Sequence, residues 1–91
     1  MMLARVEGSV VATRKHPSLT GSKLLLCQPI DGEGRPEGQP QVAIDPIGAG
    51  LHSRVILSTD GIAARAAVGD PTSPVRIMIV GVVDEPEAGA P

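Results

Sequence analysis

The sequence contains no phenylalanine, tyrosine or tryptophan, so the side chains that bury the most area per residue are missing and aliphatic residues must build any core. It has a single cysteine, which rules out an internal disulfide framework; Cys27 follows Leu24, Leu25 and Leu26, and reads as a buried thiol rather than a nucleophile or a ligand. A surplus of positive charge is also missing. Eight Lys and Arg residues stand against ten Asp and Glu, interspersed along the chain, for a formal charge of -2. That balance offers no electrostatic footprint for nucleic acid or an anionic membrane, and neither is expected as a partner. No apolar run is long enough to span a bilayer, and Met1 to Glu7 shows no basic stretch followed by an apolar segment. A cytoplasmic chain is expected.

What is present is short strands and turn formers. Ninety-one residues give room for one domain with a modest core, and a small scaffold with neither disulfide nor metal gains stability by burying surface against copies of itself. From Leu3 to Thr13, Ala4, Val6, Gly8, Val10 and Ala12 alternate with Arg5, Glu7, Ser9 and Thr13, the period of a half-buried strand, with Gly8 suited to a bend or a close backbone approach. A polar connection through Lys15, His16, Pro17, Ser18, Thr20 and Gly21 leads to a strand over Lys23 to Pro29 that is apolar on both faces, one of which needs a partner. Asp31-Gly-Glu-Gly-Arg-Pro-Glu-Gly-Gln-Pro40 reads as a solvated hairpin tip. Val42 to Asp45 and Arg54 to Ser58 are further short strands around a glycine-bearing loop, Pro46 to Ser53. Thr59 or Asp60 can cap a short helical turn from Ile62 to Ala67, and Val75 to Val83 is a final strand. Together these predict an all-β, compact antiparallel barrel of about five strands.

Motifs for chemistry are weak. Gly48-Ala49-Gly50 lacks the Gly-Lys-Ser/Thr and the following helix of a phosphate loop. His16 and His52 lie in different loops with no ligand partner at metal-binding spacing, and Asp31, Glu33 and Glu37 lack the terminal acid and flanking helices of a calcium loop. No local nucleophile, base and orienting partner appear together. No catalytic, cofactor-binding or metal residue is therefore assigned, and no cofactor is expected. An oligonucleotide-binding barrel would have the right size but needs aromatic stacking platforms in a positive groove. A stand-alone small ligand- or single-stranded nucleic-acid-binding barrel remains the alternative function, with a small hydrolase behind it.

Read in order, four motifs resemble the EutN/CcmL family of bacterial microcompartment vertex proteins across nearly the whole chain: Leu3-Ala-Arg-Val-Glu-Gly-Ser-Val-Val-Ala-Thr-Arg-Lys15, Leu19-Thr-Gly-Ser-Lys-Leu-Leu-Leu26, Val42-Ala-Ile-Asp-Pro-Ile-Gly-Ala-Gly50 and Ile79-Val-Gly-Val-Val-Asp84. The resemblance implies a small five-stranded OB-like barrel, residues 1–84, with one short helical turn and a flexible C-terminal tail over 85–91. It implies assembly as a cyclic homopentamer and a structural role without catalysis. The implied partners are hexameric and pseudohexameric shell proteins, and the implied location is the shell of a microcompartment in the bacterial cytoplasm.

The resemblance also implies a loop near the five-fold axis, for which Gly48, Ala49, Gly50, Leu51 and His52 are the candidates, since glycine lets backbones crowd together. Leu25, Asp45 and Arg65 are the subunit-interface candidates. Many family members continue Gly-Ala-Gly with a small residue, Gly and Glu, where this chain has Leu51, His52 and Ser53; Ile62 and Ala63 stand where serines are frequent, and Arg76 where an acid is frequent.

Overall fold

The computed structural model of the chain describes residues 1–11, 17 and 23–83. The strands are β1 (Met2–Ser9), β2 (Leu24–Pro29), β3 (Gln41–Ile44), β4 (Arg54–Ser58) and β5 (Met78–Val82), with one helix, α1 (Gly61–Val68), between β4 and β5. They close into a barrel in the order β1-β2-β3-β5-β4. The predicted five-strand barrel is present, but it is not wholly antiparallel: β3 and β5 run parallel, through the pair Ile44 and Met78. The reason is arithmetic, because a closed ring with an odd number of strands cannot alternate direction at every neighbour.

Two strands are shorter than their sequence patterns suggest. β1 ends at Ser9 rather than Thr13, and residues 12–16 lie outside the described part, as do 18–22 and 84–91. The last strand begins at Met78, not Val75. Upstream of it Val75 donates its N–H to Ser73 Oγ at 3.3 Å, so the backbone there is occupied by a turn instead of a ladder. The register of β1 against β2 shifts between Val6 and Gly8, which places the predicted bend at Gly8. No close approach accompanies it, since a Cβ there would meet nothing within 4 Å.

The barrel interior is packed by Ala4, Val6, Leu25, Cys27, Val55, Leu57 and Ile79, all nearly or fully buried. A second cluster lies outside it, where Ala64 of α1 packs with Leu24 and Ile44, flanked by Val68 and Met78. Leu24 and Leu25 are adjacent and point to opposite faces of β2, and both are buried. The second apolar face of β2 thus receives a partner at one end from the chain's own helix. Asp60 caps α1 by accepting a hydrogen bond from Ile62 N at 3.0 Å, and Gly69 ends it in the left-handed region at φ 73°, where glycine pays no steric penalty. The helix runs for eight residues, two full turns where the sequence suggests one short turn.

The β2–β3 tip is more ordered than a solvated hairpin. Asp31 Oδ1 accepts from Glu33 N at 2.9 Å and Arg35 N at 3.0 Å, and its other oxygen pairs with Arg35 Nε at 3.1 Å. The Arg35 N–H foremost, with the Arg35 side chain and further backbone donors, holds the Asp31 carboxyl below its ordinary value of 3.8. A carboxylate with a depressed folded value contributes stability that is complete above its unfolded value and lost as the pH falls through the folded one. The tip should therefore keep its order down to about pH 4 and loosen below 3.8, seen as accelerated loss of the Glu33 and Arg35 amide signals by NMR; Asp31→Asn should show the loosened tip at neutral pH. A tip equally ordered in the variant would contradict this role.

Candidate functional site

Strand β3 ends where β4 cannot directly follow, because β5 lies between them in the barrel. The connecting residues 45–53 cross the barrel mouth on the side of β1 and β2. Their conformation is set at the start by Asp45. Its side chain has no accessible surface, and its carboxylate accepts three consecutive backbone N–H groups: Ile47 at 3.0 Å and Gly48 at 2.9 Å on Oδ1, Ala49 at 2.7 Å on Oδ2. Lys23 Nζ stands 3.8 Å from Oδ2, and Asp45 donates its own N–H to Lys23 O at 2.9 Å. A buried carboxylate needs such donors, since an unpaired buried charge costs several kcal/mol.

The far end of the loop is tied to β1. His52 donates its N–H to Val6 O at 2.8 Å, Val6 donates to Ser53 O at 2.9 Å, and Ser53 donates to Gly50 O at 3.1 Å. Between the two anchors Ala49 drops into the barrel core at 4 % exposure. The crests on either side, Pro46 to Gly48 and Gly50 to His52, are exposed. Two of these residues hold left-handed backbone, Gly48 at φ 99° and His52 at φ 67°. Glycine takes this conformation freely and histidine does so more readily than branched residues.

The structure brings together all of the axis-loop candidates and two of the interface candidates. Leu25 lines a groove of about 430 Å³ beside Lys23, Ala49, Gly50 and Leu51. It is itself a core residue, 2 % exposed, so its neighbour Leu26, half-buried and paired across the ladder with exposed Val42, is what β2 shows outward. Arg65 is not part of this group. It lies on α1 beside a separate groove with Ile62 and Pro71, and its guanidinium folds so close over Gly61 that a Cβ there would stand 2.7 Å from Nη1.

Among the described residues of this neighbourhood, none is arranged for chemistry. Burial foremost, and then the charge of Asp45, push the Cys27 thiol up to about 11, so the reactive thiolate is scarce at neutral pH. Among the described residues no group of three or more His, Cys, Asp and Glu side chains could hold a metal ion. His16 lies outside those residues. What sequence reasoning missed is the part Asp45 plays; the signal available was an Asp followed at two to four positions by Ile-Gly-Ala, the pattern of a carboxylate folding back on its own loop.

The sequence matches, over residues 1–84, a family model described as ethanolamine utilisation protein EutN/carboxysome. It is 46% identical over 89 residues to a protein of Salmonella typhimurium named bacterial microcompartment shell vertex protein EutN, covering 98% of this chain and 89% of that one. It is 44% identical over 84 residues to the carboxysome shell vertex protein CcmL of Gloeobacter violaceus, covering 92% and 83%. Among solved structures, the GrpN pentameric microcompartment shell protein from Rhodospirillum rubrum superimposes with a TM-score of 0.80 at 39% identity, covering 93% of this chain and 95% of that one.

The left-handed backbone at residue 52 has a direct consequence for stability. His52→Val should cost about 1–2 kcal/mol, because a branched side chain is strained there, while His52→Asn should stay near the wild type. Denaturant unfolding of the three proteins checks this, and equal midpoints would show that the loop can leave that conformation at no cost.

Proposed function

The chain belongs to the EutN/CcmL family, and from that premise we propose that it is a structural shell protein that forms the five-fold vertices of a bacterial microcompartment. The observation that carries this reading is agreement in sequence and fold over nearly the whole chain with a protein described as a pentameric shell component. Its mechanism is geometric. A sheet of six-fold tiles stays flat, and a five-fold tile removes one sector, so the sheet must curve and can close. The subunit supplies one head-to-tail contact, repeated until the ring closes.

The physics of the subunit supports assembly. With its aliphatic core, the barrel leaves large side chains outside: Ile62 is 72 % exposed, Leu51 62 %, Ile47 52 % and Val42 48 %. A ring that covers such residues adds burial at roughly 25 cal/mol per Å². In this reading residues 1–84 form the shell-building domain and 85–91 a tail. Leu26 and Arg65 face neighbouring subunits, and the exposed crests of residues 48–52 gather near the axis. The ring's partners are hexameric and pseudohexameric shell proteins, and its place is a shell in the bacterial cytoplasm. The stand-alone binding barrel finds no support among relatives named as vertex proteins, and the chain has no phenylalanine, tyrosine or tryptophan to build a base-stacking platform.

Two substitutions on one strand separate assembly from folding. Leu26→Glu should leave the circular dichroism of the subunit unchanged and abolish the ring, whereas Leu25→Glu, aimed into the core, should prevent folding. Co-expression with hexameric shell proteins should give closed particles by electron microscopy with the wild type, and open sheets or tubes with Leu26→Glu. Closed particles in both would remove the outer face of β2 from the interface, and closed particles without any vertex chain would contradict the proposed function.

A further inference from the structure

We propose that Asp45 is the positioning residue for ring closure: it makes no contact with a neighbouring subunit, but from beneath the loop it holds residues 46–52 in the one shape that five copies can pack around an axis. The inference rests on the reading that this loop lies near the five-fold axis. Its physical content lies within one subunit.

Three observations carry it. The carboxylate is wholly covered by its own chain, so it has no surface to offer a second subunit. It spends its acceptors on three successive N–H groups of the loop, two of which belong to the exposed residues Ile47 and Gly48; in most exposed loops such donors would point to water. The loop it holds is neither helix nor strand, so no ladder fixes the backbone between Asp45 and the ties from His52 and Ser53 to Val6. Ala49 enters the core as the loop's one apolar anchor, and a methyl group alone does not specify backbone direction. Removing the carboxylate therefore frees Pro46 to Gly50 while the ladders of the barrel remain.

Five identical loops near an axis multiply the effect. A ring closes only when each contact has the same geometry, so a loop that samples several shapes weakens every contact in the ring together.

Amide hydrogen exchange and native mass spectrometry on the full chain test this. In the wild type the N–H groups of Ile47, Gly48 and Ala49 should exchange far more slowly than their exposed position suggests; exchange at the rate of an open loop would overturn the proposal without any variant. In Asp45→Asn, where an amide group turns a donor toward backbone donors, those three amides should exchange at least about tenfold faster. Val55 and Leu57 in β4 should keep their protection, and the ring should dissociate at a concentration at least about tenfold higher. Gly48→Val strains the same loop from its solvent side, where a Cβ meets no atom within 4 Å, and should weaken the ring likewise with a folded barrel; it decides the matter if Asp45→Asn does not fold. Loop amides released with the ring intact, in either variant, would overturn the link to closure. A wild type that never forms a ring would defeat the functional reading instead, while slow exchange of the three amides would still uphold the carboxylate's hold on the loop.

Discussion

A ring of five strands cannot alternate direction all the way round, and much of this molecule follows from how it meets that constraint. One neighbouring pair must run parallel, here β3 and β5, and parallel neighbours cannot be joined by a tight hairpin. The chain instead leaves β3 by crossing the barrel mouth to β4, then returns through α1 to β5. The crossing needs a backbone that is neither strand nor helix, lying over a core with no ladder to hold it. A buried carboxylate at its first residue supplies the missing partners, and two bonds to Val6 close its far end. The return path supplies the helix, whose Ala64 covers the outer side of Leu24. Loop and helix are thus two consequences of the same closure, one over the mouth and one over the wall.

The second constraint is a core without aromatic rings. Leu57, Ile79, Val6, Val55 and Cys27 are the largest fully buried side chains, and each contributes only about 1.5–3 kcal/mol of burial for the aliphatic members. A chain of this size has little margin. The chain also carries Ile47, Leu51, Ile62 and Val42 on the subunit surface, apolar area that the proposed ring would cover. The chain belongs to a family whose relatives are named as shell vertex proteins.

Much of the fold could be read from residue patterns, and the exceptions have identifiable causes. Alternation along Ala4 and Val6, the cap at Asp60 and the turn formers after Asp31 are local signals, and the structure follows them. Direction and partnership are not local. No pattern within Gln41–Ile44 or Met78–Val82 says that these strands run parallel, and none says that Leu24 will be covered by the chain's own helix. The double apolar face of β2 reads equally as a demand for another subunit or for α1, and α1 meets part of it. Asp45 is the clearest case. In sequence it closes a strand and invites a surface role; only the backbone path of Pro46 to Ala49 turns three N–H groups back onto its oxygens. Asp31 follows the same logic, since three-dimensional donors make an ordered knot out of what composition reads as solvated charge.

The central claim is that this subunit is one part of a closed ring of five. Native mass spectrometry of the purified wild-type chain at near-physiological salt tests it most directly. The account predicts a dominant species with five times the 9.3 kDa subunit mass, persisting on dilution into the low micromolar range. A particle that remains a single subunit across concentration and salt, or that settles at any number other than five, would contradict it.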